Sequence, residues 1–372
     1  MVERGSIRLF TFRDIPVRLH WTFGLLFLWV LYTGMRFGMD WPAIGVLALL
    51  VTSLFACVVF HEFGHALTAR HFGIHTRDII LSPIGGVARL HKIPEKPAQE
   101  LLVALAGPAV NVIIAGILAI IAWFALPTFL DIQGETETAI FWIGNFVPLL
   151  FWMNLYLVVF NMIPAFPMDG GRVLRALLAL RIGRLKATTY AAAIGRGLAI
   201  LFLVLAVWQQ ELFLGLIGLF VYFMASQELK MVKSEHLYRQ FTVGQMTRRR
   251  FTALPEHTTI QEAVHALQHS LETHFPIMDE HHQISSYVRA KDLLKGISSG
   301  HGGLSVTYVA KPVQGILPTE TALPDAFHYF QRDQDALLLV SDPEGRIVGV
   351  LDRDQIDHVL YWSQRHGGFP TI

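Results

Sequence analysis

Charge is scarce in this chain. Asp, Glu, Lys and Arg together make up 16% of its 372 residues, against about 25% in an ordinary globular protein. Hydrophobic residues reach 53%, so much of the chain suits lipid better than water. The net charge is +1, and no basic block is dense enough for nucleic acid, which excludes that class of partner. Cysteine is nearly absent. The single Cys57 lies inside an apolar run, which excludes a disulfide framework and makes it a small core residue. A small-residue cleavage site is also missing after Arg4, Arg8, Arg13 and Arg18, so the first apolar segment is expected to be an uncleaved span.

A membrane helix needs about 20 mainly apolar residues. Segments 42–72, 101–126, 139–163 and 187–207 qualify, the last interrupted only by Arg196; 19–35 and 212–226 are short. About six spans are therefore expected. Arg70, Arg77, Arg89, Lys92 and Lys96 lie between spans two and three, and Arg172, Arg175, Arg181, Arg184 and Lys186 between four and five. The opposite connections hold Arg36 alone, with Asp131, Glu135 and Glu137. Lys and Arg concentrate on the cytoplasmic side, so both termini should be cytoplasmic.

The charge-free run 42–60 leads straight into His61-Glu62-Phe63-Gly64-His65. On a helix this spacing puts two imidazoles one turn apart on one face, with a carboxylate left free as a base. Five residues are a weak pattern in a soluble protein. Within a membrane helix ionisable groups are costly and mark function, which favours a zinc site over a solvated or core-satisfied trio. Segment 161–172 ends span four with Asn161, two prolines and Asp169-Gly170-Gly171-Arg172. Irregular backbone at that depth needs protein or a wet cavity around it. Asp169 is the acid there, on the same side as the histidines. A catalytic zinc keeps three protein ligands and an open position, and His61, His65 and Asp169 make that count; helix capping is the plainer role for Asp169. Between spans two and three, two β-prone stretches flank Ser82-Pro83-Ile84-Gly85-Gly86 and read as a hairpin. Its edge could pair with an extended substrate, or it is simply a surface hairpin.

With His61-Glu62-Phe63-Gly64-His65, the Asn161 to Gly170 pattern and Gly107-Pro108-Ala109-Val110-Asn111 in hand, the chain resembles the site-2 protease family of intramembrane zinc metalloproteases, in the branch with a C-terminal CBS pair. The resemblance covers roughly residues 7–230. It implies that His61, His65 and Asp169 hold one Zn2+, that Glu62 activates the water, and that Asn161 holds the substrate or the developing oxyanion. Asn111 matches the family pattern without a defined role, and Asn154 reads as a buried interhelical hydrogen bond. The connections between spans are too short for the PDZ-like module some relatives carry. The implied substrate is a single-span membrane protein, such as an anti-sigma factor or membrane-anchored transcription regulator.

After Lys233 the chain turns polar and an internal repeat appears, at about 242–300 and 305–362. Each copy reads as strand, helix, two strands and closing helix, and resembles a tandem CBS pair. Domains are thus expected at 1–234 and 235–372. The resemblance implies adenine nucleotide (ATP or AMP) in the cleft, with Asp292 and Asp354 on the ribose, and a homodimer through the pair. Arg289 and Asp352 replace the hydroxyl residues expected nearby, so a purely structural module is the alternative. The scattered histidines here, His274 among them, show no ligand spacing with a third partner and read as surface or helix-face residues. The fold class is therefore a polytopic α-helical membrane protein with a membrane-associated β-hairpin plus a C-terminal α/β CBS pair. The competing function is a CBS-regulated metal-ion transporter or channel. Glu62 separates the two, since peptide hydrolysis needs a free carboxylate between the ligands and ion transit does not.

Overall fold

In the computed structural model, which describes residues 5–83, 85–90, 94, 96–125, 138–267, 270 and 272–366, the chain opens with strands rather than a membrane helix. Arg4, Ile84, Lys92, Asp131, Glu135, Glu137 and His269 lie outside the described residues. Strands β1 (Ser6–Phe12) and β2 (Ile15–His20) form an antiparallel hairpin. Its two-residue turn, Arg13 and Asp14, has positive φ at both positions, as the twist of a tight hairpin requires. Arg70 grips this turn, donating to the Arg13 carbonyl at 2.6 Å.

Two helices, α1 (Phe23–Arg36) and α2 (Trp41–His71), lead to β3 (Thr76–Ser82) and β4 (Gly85–Leu90). The sheet order is β1-β2-β3-β4, with β2 and β3 parallel. Ile15, Val17, Ile79 and Leu81 of the sheet pack on Val59, Phe63 and Ala66 of α2. The hairpin expected at 82–86 is therefore one half of a larger sheet seated on the histidine helix.

Next come α3 (Pro97–Ala125), α4 (Ala139–Gly144), α5 (Phe146–Asn161), α6 (Asp169–Ile182), α7 (Arg184–Gln209) and α8 (Leu212–Tyr238). Among the described residues four helices, α2, α3, α7 and α8, are long and apolar enough to cross a membrane; α1 and α5 are shorter apolar helices. The first expected span loses its start to β2. The fourth is interrupted at Asn145, between α4 and α5, where the side-chain amide donates to the Phe141 carbonyl at 2.8 Å. The sixth is longer than expected, because nothing between Ser226 and Tyr238 breaks the helix. Segment 169–182, read as a basic connection, is a helix of its own. Small residues at helix crossings, Ala191, Ala199 and Ala225, let α7 and α8 close on the proline-rich turn at Ala165 and Phe166.

The chain divides into two units, Met1–Val232 and Lys233–Ile372. The second begins with α9 (Val243–Met246), followed by β5 (Leu254–Pro255), α10 (Ile260–Leu267), β6 (His274–Met278), β7 (Ile284–Arg289) and α11 (Ala290–Ser298). The second copy holds β8 (Lys311–Pro312), β9 (Ile316–Pro318), α12 (Leu323–Arg332), β10 (Leu338–Ser341), β11 (Ile347–Leu351) and α13 (Arg353–His366). The copies exchange their leading segments. Val243 and Met246 lie in the core of the second copy, Val306 in that of the first, and β8 joins the sheet of β5, β6 and β7.

Candidate metal centre

Helix α2 starts cleanly, with Asp40 accepting from the Ala43 amide at 2.7 Å. By its last third it presents His61 and His65, both buried, with Nε2 atoms 3.0 Å apart. Asp169 Oδ2 comes within 3.2 Å of His61 Nε2 and 3.1 Å of His65 Nε2. The structure thus brings together the three residues that the sequence reading assigns to zinc.

The other ring nitrogens decide whether a metal fits. His65 Nδ1 lies 2.7 Å from the Val103 carbonyl. A carbonyl only accepts, so Nδ1 carries the proton and Nε2 is left with a lone pair. His61 Nδ1 lies 2.7 Å from Asn111 Oδ1. The amide's orientation is fixed by a relay: Asn154 donates to the Leu150 carbonyl at 2.8 Å, and Asn111 donates to Asn154 Oδ1 at 2.9 Å. Asn111 Oδ1 can then only accept, and His61 Nε2 also faces inward bare. Two imidazole lone pairs and a carboxylate oxygen converge, an arrangement that repels itself unless a cation sits among them. The donor set, His2Asp, fits zinc.

The backbone around the site is built for close approach. A Cβ on Gly107 of α3 would lie 2.2 Å from His65 Nε2 and 2.6 Å from His61 Nε2, so α3 passes directly over the imidazole pair. Asp169 is the first residue of α6, after the turn that leaves α5. A Cβ on Gly170 would meet the Met162 carbonyl oxygen at 2.3 Å, which is why the acid is followed by glycine. Arg172 stands 3.6 Å from Asp169 Oδ1.

Glu62 is half-buried. Its Oε2 accepts from the backbone N–H of Ala88, in edge strand β4, at 2.8 Å. Asn161 ends α5 half-buried, two turns beyond Asn154 on the same face. Its amide has no hydrogen-bond partner among the described residues. The sequence reading did not find the Val103 carbonyl, which no side-chain pattern can reveal. Gly107 and Asn111 were visible as a motif but without a geometric reason.

In the second unit, Asp292 is held by Arg289, whose Nη2 reaches Asp292 Oδ1 at 2.9 Å. Asp354 accepts from the Thr273 hydroxyl at 3.0 Å. The two are not equivalent: Asp292 is the third residue of α11, Asp354 the second of α13, and Gln355 holds the place matching Asp292. His274 is not a surface residue either. It is buried in β6, with Nε2 3.1 Å from the Asp335 carbonyl.

Residues 49–205 match the model of peptidase family M50, and residues 243–299 that of the CBS domain. A zinc metalloprotease of Methanocaldococcus jannaschii is 41% identical over 239 residues, 63% of this chain and 63% of that protein's length. A putative zinc metalloprotease of the same organism is 30% identical over 37% of this chain and 75% of its own. The solved site-2 protease from Methanocaldococcus jannaschii is 40% identical, covering 60% of this chain and 95% of that one, with a TM-score of 0.45. The chain belongs to peptidase family M50, the site-2 proteases, and carries a C-terminal CBS domain.

Proposed function

We propose that the chain is an intramembrane zinc endopeptidase that cuts a transmembrane segment of a single-span membrane protein, such as an anti-sigma factor or membrane-anchored transcription regulator. The carrying observation is the convergence of His61 Nε2, His65 Nε2 and Asp169 Oδ2 beside Glu62, the residue after His61, a carboxylate that is itself outside the donor set. His61, His65 and Asp169 hold the zinc, which when bound polarises the scissile carbonyl and acidifies a water. Glu62 takes the proton from the attacking water and passes it to the leaving amine. The unpaired amide of Asn161 donates to the oxyanion.

A transmembrane helix keeps its carbonyls in internal hydrogen bonds, so the substrate has to unwind before it is cut. Strand β4 offers an edge to the extended segment. The Ala88 N–H on this strand already touches Glu62, so a chain paired along β4 would run past the base. Both termini and the second unit are assigned to the cytoplasm, from the distribution of Lys and Arg.

The test compares membrane fractions of cells carrying wild type and Glu62→Gln. Accumulation of one uncut single-span protein in the variant is the expected result. Wild-type cleavage by purified Glu62→Gln would remove the assignment, and zinc content unchanged in the variant would show that the fold survives.

For the second unit we propose modulation by adenine nucleotide, as an extension of the same reading, and self-association through the CBS copies. A ribose that reaches Asp292 has to displace the Arg289 guanidinium. Equilibrium dialysis of the full chain with ATP and AMP tests this, and no retention of either removes it.

A further inference from the structure

Arg175 of α6 is 1% exposed, and a cation buried this deeply costs several kcal/mol unless it is fully paired. The proposed chemistry does not use it. Its Nε donates to Glu100 Oε1 at 2.8 Å, and Nη2 engages the same oxygen. Nη1 engages Glu228 of α8. The guanidinium also lies over the Phe166 ring, 5.0 Å from its centroid, in cation–π contact. Glu100 is itself 2% exposed.

The placement of these partners is what gives the cluster a meaning. Glu100 stands in the first turn of α3, three residues before Val103, so the two share a helix face. The carbonyl of Val103 orients His65. Phe166 lies three residues before Asp169, in the turn that delivers the third donor. One planar group therefore bridges the segment that aims an imidazole and the segment that carries the carboxylate, two stretches about 70 residues apart in sequence.

We propose that Arg175 is a positioning residue for the metal centre. It holds α6 and its Asp169 in register with the opening turn of α3, so that the carboxylate and His65 Nε2 meet at ligand distance. This rests on the zinc reading given above. Lysine does not replace it, because a point charge cannot engage Glu100 through two nitrogens and reach Glu228 while stacking on Phe166.

The test measures zinc affinity of the purified full chain by competition with a chromogenic chelator, beside thermal unfolding, for wild type and three variants. Arg175→Lys should weaken zinc about 10-fold, and Arg175→Met about 100-fold, the span seen when groups supporting metal ligands are removed. Arg175→Met alone strands Glu100 as a buried charge and invites misfolding. The third variant, Arg175→Met with Glu100→Gln, removes the two buried charges and leaves only Glu228, whose side chain is 21% exposed; it should unfold at a temperature near that of wild type yet still bind zinc about 10–100-fold more weakly. Wild-type zinc affinity in the folded double variant would overturn the proposal. Zinc lost only in proportion to lost folding would overturn it too. A wild-type chain that takes up no zinc, with His61→Ala indistinguishable from it, would instead sink the metalloprotease reading and this proposal together.

Discussion

The carbonyl oxygen of Val103 lies 2.7 Å from Nδ1 of His65. That contact belongs to no recognisable motif, yet it fixes which nitrogen of the imidazole faces Asp169. The same logic runs through Asn111 on His61. The proposed metal centre is thus defined as much by the groups behind the imidazoles as by the three donors.

Asn111→Ala should retain the fold and weaken zinc binding by about 10–100-fold, through loss of the tautomer control on His61. It leaves Asn154 Oδ1 buried without its donor, at a cost of about 1–3 kcal/mol. Asn111→Ala combined with Asn154→Ala should therefore be no worse than the first change alone. A cycle of chelator competition and thermal unfolding checks the non-additivity.

Gly107→Ala should abolish zinc uptake. The added methyl sits 2.2 Å from one Nε2 and 2.6 Å from the other, in the space where the lone pairs converge. Gly116→Ala on the same helix is the control, because a Cβ there meets nothing within 4 Å. It should bind zinc normally and gain up to about 1 kcal/mol in helix propensity. Zinc content by plasma emission separates the two.

Asn161→Ala should lower kcat by about 10²–10³-fold, the usual effect of deleting an oxyanion donor, with zinc content and thermal stability unchanged. The amide forms no hydrogen bond among the described residues, so its removal leaves no partner stranded. Steady-state cleavage of a transmembrane peptide in detergent gives the measurement, and a rise in KM without a fall in kcat would contradict the role.

Acid should loosen the second unit through Asp335. The Lys291 ammonium beside it holds its carboxyl below the usual carboxylate range, against the smaller opposing effect of burial. A depressed native value means the stabilisation is present above the unfolded value of about 4 and is lost as pH falls through the native one. The pair is partly exposed, so the effect stays below about 1 kcal/mol. Hydrogen exchange of β10 amides between pH 6 and 3 should show the loss, and Lys291→Met should reduce it.

Much of this molecule is legible in its residues. The apolar runs announce lipid, since stretches near the 20 residues of a membrane span with almost no charge are rare in a soluble domain. The spacing of His61 and His65 fixes a shared helix face, because an α-helix returns every 3.6 residues. Periodicity also exposes the repeat after Lys233, whose strands and helices alternate as expected.

Other features needed the third dimension. The strands at Ser6–Phe12 and Ile15–His20 lie where the sequence shows only a basic lead-in to the first span, and pairing of β2 with the distant Thr76–Ser82 sets them in a larger sheet. The exchanged leading segments of the CBS copies depend on partners far away in sequence. So does the site. Asp169 lies more than 100 residues from the histidines. What brings it there is a turn that only Gly170 can pack, while α3 slides over the imidazoles because Gly107 has no side chain. Local sequence determines helix faces and donor types; long-range packing alone decides which lone pairs meet.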